Sequence, residues 1–288
     1  MDLSLWIPAV IYGFSVSGIF FLVSLGLSIG FGLMRVVNLE QMLYYTFSAY
    51  MTYTMVTLTG MFWLGLMCGV FLAAFLGFLV ETQLLRRVYG KPMLFSMVVT
   101  FSFFLIGIGA IQYIWGLSPK PVSSPTQLMI TIFGTQIPLY RLLIILTAGV
   151  VYVMIQLLLQ KTILGKAIRA GIENPDNLQG LGININRIFT ITFVIASALA
   201  GLGGALNAPL VMVGPYMGFD MLLYAFITVI LGGLGSIKGT LISSLIIGQV
   251  ISLGGTLWSP LAFVAPFVVM FLVILIRPTG LYGVKGIV

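Results

Sequence analysis

Residues that could do chemistry are scarce in this chain. Its 288 residues include six acids, thirteen lysines and arginines, one cysteine and no histidine. This inventory argues against histidine proton relays and metal sites, and the sequence holds no nucleophile–base pair or metal-ligand cluster. Two acids stand out because each comes just before an apolar run and beside an interruption: Glu40, between Asn38 and Gln41, and Asp220, after Tyr216. Such side chains are suited to contacting a polar solute, not to transforming it.

The surroundings of these residues are those of a membrane protein. Sixty per cent of the chain is apolar, 7% is charged and the mean hydropathy is +1.18, far outside the range of soluble domains. Apolar runs near the ~20 residues needed to cross a bilayer recur throughout. We therefore predict one all-α, polytopic transmembrane domain over 1–288, with about eight to nine transmembrane segments. The candidates are 6–32, 36–58, 61–80, 93–116, 139–159, 188–206, 219–235, 239–256 and 260–276, of which the second and seventh are weak.

The basic residues predict the orientation. With the N-terminus outside, inner loops hold eleven of the thirteen and outer loops hold two, Lys120 and Arg141. That bias follows the positive-inside rule and places 160–187 and the C-terminal tail in the cytoplasm. The surplus of positive charge is therefore assigned to topology and the lipid bilayer, not to nucleic acid. The opening stretch lacks a basic region and is interpreted as the lead into the first span.

Two further patterns concern the architecture. The outer loop 116–139 contains four prolines, which predicts a stiff, irregular connector. The segments 32–50 and 213–233 both place a glycine-rich approach and a lone acid before a tyrosine-containing apolar run. Interrupted segments at matching places in two halves are typical of transporters built from inverted repeats, so we predict that arrangement with interrupted helices.

Several polar and glycine-rich positions allow two interpretations. A charged side chain that faces lipid costs a few kcal/mol, so Glu40 should face protein or water. It either caps its helix at the inner headgroups or lines an inner gate. The glycines in 200–206 and 231–236 either permit close helix packing or break a helix. Glu81, which opens an inner loop beside Arg86, is interpreted as a surface charge.

The cytoplasmic segment 165–187 is unusually polar for this chain. Lys166 and Arg169 are placed on the continuation of the fifth span. A two-turn helix follows, and its capping residues are Asn174 at the N-cap, Pro175 and Asp176 in the first turn, and Gly182 beyond the last turn. Leu178 and Leu181 would share one face of it. The segment is either a solvated loop or a coupling helix that docks on a cytoplasmic partner, since so short a helix is not stable alone.

Five motifs together resemble a known family. They are "GLMRVVNLEQMLYYTFSAY", "GKAIRAGIENPDNLQGLGIN", "SALAGLGGAL", "VILGGLGSIKGTLISSLIIG" and "IRPTGLYG". The chain resembles the permeases of the branched-chain amino acid (leucine/isoleucine/valine) class of bacterial ABC importers. The motifs fall in the family order from about Gly26 to Gly283, and the length is similar to that of the smaller permease type.

The resemblance implies a translocation subunit that is not itself an enzyme. It implies that the loop 160–187 contacts an ATPase subunit, through Arg169, Glu173, Asn174, Pro175, Asp176, Leu178, Leu181 and Gly182. The implied partners are two cytoplasmic ATPase subunits, a second permease forming a heterodimer rather than a homodimer, and an extracytoplasmic substrate-binding protein in the bacterial inner membrane. ATP and magnesium would bind the ATPase subunits, because "GGLGSIKGT" lacks the spacing of a phosphate loop. This chain would bind no cofactor and no metal.

The substrate is less determined. After the Asn-Leu pair, relatives carry small residues and a glycine, often Ala-His-Gly, where this chain has Glu40-Gln41-Met42. A bulkier, charged lining favours a small amino acid or related compact solute without selecting branched-chain ones. We predict that Asn38, Glu40 and Gln41 line the inner end of the path and that Tyr216 and Asp220 line the outer end. The alternative is an ion- or proton-coupled secondary transporter, which tends to carry more ionisable groups at mid-membrane.

Overall fold

The protein is described by a computed structural model over residues 3–34, 38–89, 91–132, 134–173 and 184–283. Ten α-helices account for most of this length. They are α1 (Leu3–Met34), α2 (Gln41–Thr59), α3 (Phe62–Gln83), α4 (Met93–Trp115), α5 (Leu139–Lys161), α6 (Ile163–Glu173), α7 (Ile185–Asn207), α8 (Met217–Gly232), α9 (Ile237–Leu257) and α10 (Leu261–Ile276). A short 3₁₀ turn, Leu85–Arg87, follows α3. The predicted helical membrane architecture is confirmed.

Each of the nine predicted apolar segments contains a helix. Among the described residues, six helices are long and apolar enough to cross a membrane: α1, α3, α4, α5, α7 and α9. The helices α8 and α10 have only 16 residues each, and α2 is rich in tyrosine and threonine. The number of crossings and the inverted repeats therefore stay predictions.

The centre of the bundle is formed by α1, α2 and α7. Of the six long apolar helices, α1 and α7 are the most enclosed. The glycines of α7 explain how close the packing is, because a Cβ at Gly204 would overlap the backbone of Tyr45 and one at Gly201 would overlap Ala73. Helix α7 runs unbroken through these glycines. The glycines in 200–206 therefore serve close packing, in the manner of small-residue interfaces in membranes.

The second glycine motif, 231–236, does break a helix. Helix α8 ends at Gly232, and Gly233 takes a left-handed φ of 97°, which favours glycine. The C-terminal motif folds back onto this break. The amide of Leu281 donates to the carbonyl of Leu231 at 2.8 Å, and that of Tyr282 donates to the carbonyl of Gly232 at 3.0 Å. These bonds satisfy carbonyls that the end of a helix leaves free.

The outer loop is more regular than the prolines predicted. Strands β1 (Met129–Ile132) and β2 (Thr135–Pro138) form an antiparallel hairpin, so the prediction of an irregular connector is wrong for this part. The β-branched residues on either side of Gly134, which has a φ of 80°, account for the hairpin. Upstream, Lys120 and Val213 exchange two backbone hydrogen bonds of 2.8 and 2.9 Å, which tie the loop to the approach of α8.

Candidate solute path and coupling segment

Helix α2 begins in the interior of the bundle. The side-chain amide of Gln41 donates to the carbonyl of Ala196 at 2.6 Å. Ala196 lies eleven residues into α7, which is about 16 Å from the start of that helix. Gly26, eight residues before the end of α1, also packs against the Gln41 side chain. Gln41, at the start of α2, therefore lies roughly 12 Å inside the bundle, measured along α1 from the end of that helix.

This depth decides the environment of Glu40. The residue precedes α2, yet its side chain makes no capping hydrogen bond and is completely buried. One carboxyl oxygen, Oε1, accepts a hydrogen bond from the hydroxyl of Tyr44 at 3.1 Å. The other, Oε2, has no partner among the described residues. The interpretation of Glu40 as a cap at the headgroups therefore does not fit its position.

The neighbours of Glu40 extend the polar cluster. The side-chain amide of Asn38 donates to Oε1 of Gln41 at 3.3 Å, and the backbone amide of Leu39 donates to the Thr100 hydroxyl at 3.3 Å. Asn38 Oδ1 is buried and has no partner within the described ranges. Buried oxygens without hydrogen bonds cost ~1–3 kcal/mol each. Asn38 and Glu40 together thus offer two acceptors suited to water or to an N–H donor of a solute.

Of the two predicted outer residues, Asp220 lines a cavity and Tyr216 does not. The Tyr216 hydroxyl accepts a hydrogen bond from the side-chain amide of Gln112 at 2.9 Å, near the end of α4. Asp220 is exposed to a cavity of about 260 Å³ whose walls are mostly aromatic, aliphatic and methionine side chains. The polar groups in the same cavity include Tyr45 and Asn207, which are joined by a 2.5 Å hydrogen bond from the amide to the phenol.

The two predicted groups approach each other through their helices. Gly218, in the first turn of α8, packs against the carbonyl of Met42 and the hydroxyl of Thr46 in the first turns of α2. The first turn of α8 therefore contacts the first turns of α2, whereas the sequence predicted the two groups at opposite ends of the path. The physical reason is the deep start of α2. A role for either group in a solute path stays a prediction.

Glu81 is buried, so its interpretation as a surface charge is wrong. Its carboxylate pairs with Arg86 Nε at 3.3 Å and accepts hydrogen bonds from Thr190 at 2.8 Å and Tyr89 at 3.3 Å. Arg86 also donates from Nη2 to the Thr190 hydroxyl at 2.6 Å. Burial, followed by the adjacent Glu81 carboxylate, raises the pKa of the Tyr89 hydroxyl.

This cluster ties α3 to α7 and to the turn after α3. The sequence does carry one signal for it, because Arg86 follows Glu81 by five residues. Thr190 lies 109 residues away from Glu81, and nothing in the local sequence connects them.

The helix α6 departs from the predicted continuation of α5. Helix α5 ends at Lys161, the backbone becomes extended at Thr162, and α6 begins at Ile163. Gly165 permits the sharp turn, because a Cβ there would overlap the backbone of Leu158 and Leu159. Helix α6 packs on α5, α1 and α7.

The two faces of α6 differ. Ala167 and Ile168 are buried, whereas Lys166 and Arg169 are exposed. Glu173 ends the helix. The remaining residues of the predicted coupling helix, which are Asn174, Pro175, Asp176, Leu178, Leu181 and Gly182, lie outside the described residues.

The chain is similar to known permeases of branched-chain amino acid transport systems. Residues 9–276 match the family model for the branched-chain amino acid transport system permease component. The high-affinity branched-chain amino acid transport permease BraD of Pseudomonas aeruginosa is 26% identical, with 96% of each chain covered. The probable permease LivH of Methanocaldococcus jannaschii is 29% identical, with 96% of this chain and 91% of the relative covered.

A third relative matches a shorter region. LivH of Escherichia coli is 38% identical over 122 residues, which cover 42% of this chain and 40% of the relative. No solved structure matches this chain.

Proposed function

Because this chain belongs to the branched-chain amino acid transport permease family, we propose that it is the translocation subunit of an ATP-driven importer. In this proposal an extracytoplasmic binding protein delivers a small amino acid or related compact solute. Two cytoplasmic ATPase subunits bind ATP and magnesium, and a second, different permease completes the membrane unit. The N-terminus lies outside and the C-terminus in the cytoplasm.

The observation that best supports this proposal is the position of α6 and its packing. This helix leads from the end of α5 directly into the predicted coupling segment, and it packs on both α1 and α7. Those two helices hold the buried start of α2, through Gly26 and Ala196. A movement of the segment after Glu173 would thus be transmitted through packed helices to the polar cluster at Glu40.

The polar cluster at Asn38 and Glu40 is suited to a solute that carries both the ammonium and the carboxylate charge of an amino acid. Asn38 and Glu40 present acceptor oxygens suited to an ammonium group. The start of α2 lies within the bundle, and the positive end of a helix dipole favours a carboxylate.

The distribution of basic residues supports the proposed orientation. Arg169 and Lys238 line one cavity with Ile29, near the end of α1. Arg141 lies over the ring of Tyr12, 3.9 Å from its centroid, in the first third of α1. The basic residues assigned to the two sides are therefore associated with opposite ends of one long helix.

Coupling is tested by placing a charge on the apolar face of the predicted helix. We expect Leu178→Asp to reduce ATP-driven uptake and co-purification of the ATPase subunits by roughly tenfold or more, equivalent to ~1.4 kcal/mol. Insertion of the chain should be normal, because the substitution lies outside the spans. The matched control is Gln179→Asp, which adds the same charge to a residue that is already polar. Normal assembly and uptake in Leu178→Asp would leave this segment as a plain loop.

The energy source is tested by reconstitution. We expect uptake into proteoliposomes only when the ATPase subunits and ATP are present. Uptake by this chain alone, driven by an ion or proton gradient, would refute the proposal and favour a secondary transporter.

A further inference from the structure

A groove opens between α3 and α7 at the end of the bundle where α7 begins. Its volume is about 590 Å³. Arginine, asparagine and threonine side chains line the end near the start of α7, including Arg86, Arg187 and Thr190. Phe78, Ile191 and Val194 are among the apolar residues that line the part deeper in the spans. We call this cavity the Arg187 groove.

The groove changes from polar to apolar along the helix axis. Arg187, Ile191 and Val194 are spaced by four and three residues, so they share one face of α7. The rise from Arg187 to Val194 is about 10 Å, comparable to the step from the headgroup level into the acyl chains. Phe78 and Ile191 remain 45% and 36% exposed, although both lie on helices long enough to span a membrane.

The charge of the groove is positive. None of the described lining residues is acidic, and two are arginines. Arg86 is held in place from behind by the buried carboxylate of Glu81 and by the hydroxyl of Thr190. These contacts engage two of the five N–H donors of its guanidinium group. A guanidinium fixed in this way, with a second one at Arg187, is suited to the oxygens of a phosphate group.

We propose that the Arg187 groove binds one anionic glycerophospholipid. The phosphate lies between Arg86 and Arg187, and an acyl chain runs along Phe78, Ile191 and Val194. Zwitterionic lipids would fill the apolar part equally well but gain less from the two arginines. A water-soluble anion would gain from the arginines but leave the apolar part empty. Basic pockets between helices at the cytoplasmic side of membrane proteins are a recognised setting for anionic headgroups.

The test uses the purified chain in its assembled complex. Thermal stability is measured while phosphatidylglycerol, phosphatidylcholine with the same acyl chains, or inorganic phosphate is added. We expect phosphatidylglycerol to give half-maximal stabilisation at a several-fold lower concentration than phosphatidylcholine, and phosphate to give none. Arg187→Gln should weaken the phosphatidylglycerol effect about fivefold, which corresponds to the ~1 kcal/mol typical of one basic residue near an anionic surface.

Two further variants test the charge and the apolar part of the groove separately. Lys238→Gln removes a positive charge that lines another cavity, and it should preserve the preference for phosphatidylglycerol. Val194→Trp fills the apolar part without changing charge, and native mass spectrometry of this variant should show loss of the co-purified lipid.

Several results would overturn the proposal. They are equal stabilisation by the two lipids, an undiminished phosphatidylglycerol effect in Arg187→Gln, an equal loss in Lys238→Gln, and stabilisation by phosphate alone. Retention of the lipid in a folded Val194→Trp variant would also do so. Arg187-dependent retention of an ATPase subunit in place of lipid would assign the groove to that partner.

Discussion

The buried carboxylate of Glu81 provides the most direct test of the structure. Replacing it by alanine removes three contacts at once, to Arg86, Tyr89 and Thr190. It also weakens the link between α7 and the turn after α3, where the hydrogen bond from Arg86 to Thr190 remains. Arg86 is 39% exposed, so its guanidinium can regain solvation. The Thr190 hydroxyl exchanges a charged acceptor for the neutral carbonyl of Asn186, which also lies at 2.8 Å. We therefore expect Glu81→Ala to lower the free energy of unfolding.

The size of the loss follows from the individual contacts. The short bond from Thr190 to an ionised oxygen contributes ~1.5–3 kcal/mol, and the longer bond from Tyr89 about 1 kcal/mol. The Arg86 pair adds at most ~1 kcal/mol, because water screens its exposed partner. Since these contributions are not additive, the expected loss is ~2–4 kcal/mol. In a chain of 288 residues it corresponds to a fall in Tm on the order of 3–7 °C.

The assay is thermal unfolding of the purified, assembled complex, with membrane abundance as a second measure. Glu81→Gln keeps the shape and one acceptor oxygen, so it should lose about half as much. The control is Thr82→Val, at a half-buried neighbour whose hydroxyl donates to carbonyls of its own helix. We expect the control to change Tm by less than about 2 °C. A change in Tm of less than about 2 °C for Glu81→Ala, or an equal fall in the control, would refute the stabilising role of the Glu81 cluster.

The remaining predictions concern the solute path and the topology. Glu40→Gln, which removes a titratable carboxyl group with little change of shape, should reduce uptake by roughly tenfold while assembly stays intact. Unchanged uptake and substrate preference would exclude Glu40 from the path. Asp220→Asn should raise the solute concentration needed for half-maximal uptake severalfold, because it removes the only acid lining the described cavity beside α8; an unchanged value would separate this cavity from transport. Asn177→Cys, made in a Cys68→Ser background, should be labelled by an impermeant maleimide only after cells are permeabilised. Labelling of intact cells would reverse the orientation.

Much of the fold could be predicted because its signals are local. A run of about 20 apolar residues specifies a membrane helix by composition alone, so the predicted 139–159 and the observed Leu139–Lys161 nearly coincide. The family could be recognised for the same reason, since its motifs are short, ordered stretches of sequence. Residues 9–276 match that family.

The errors fall where local sequence has two compatible outcomes. Prolines and β-branched residues coexist in the outer loop, and the hairpin at 129–138 follows from the second group. The glycines in 200–206 and those in 231–236 read alike in sequence. Packing against the Tyr45 backbone keeps the first group helical, whereas the left-handed Gly233 ends a helix in the second.

The sequence by itself determined that this protein lies in a membrane, where its helices are and which family it belongs to. The length of apolar runs and the order of motifs are properties of adjacent residues. Tertiary structure alone decided how deeply Asn38, Glu40 and Gln41 lie, since their depth depends on Ala196, more than 150 residues away. Tertiary structure likewise decided that Glu81 is buried and linked to α7, because it places Thr190 beside the carboxylate. The cost of burying a polar group depends on which partners fold around it, and distant residues supply those partners.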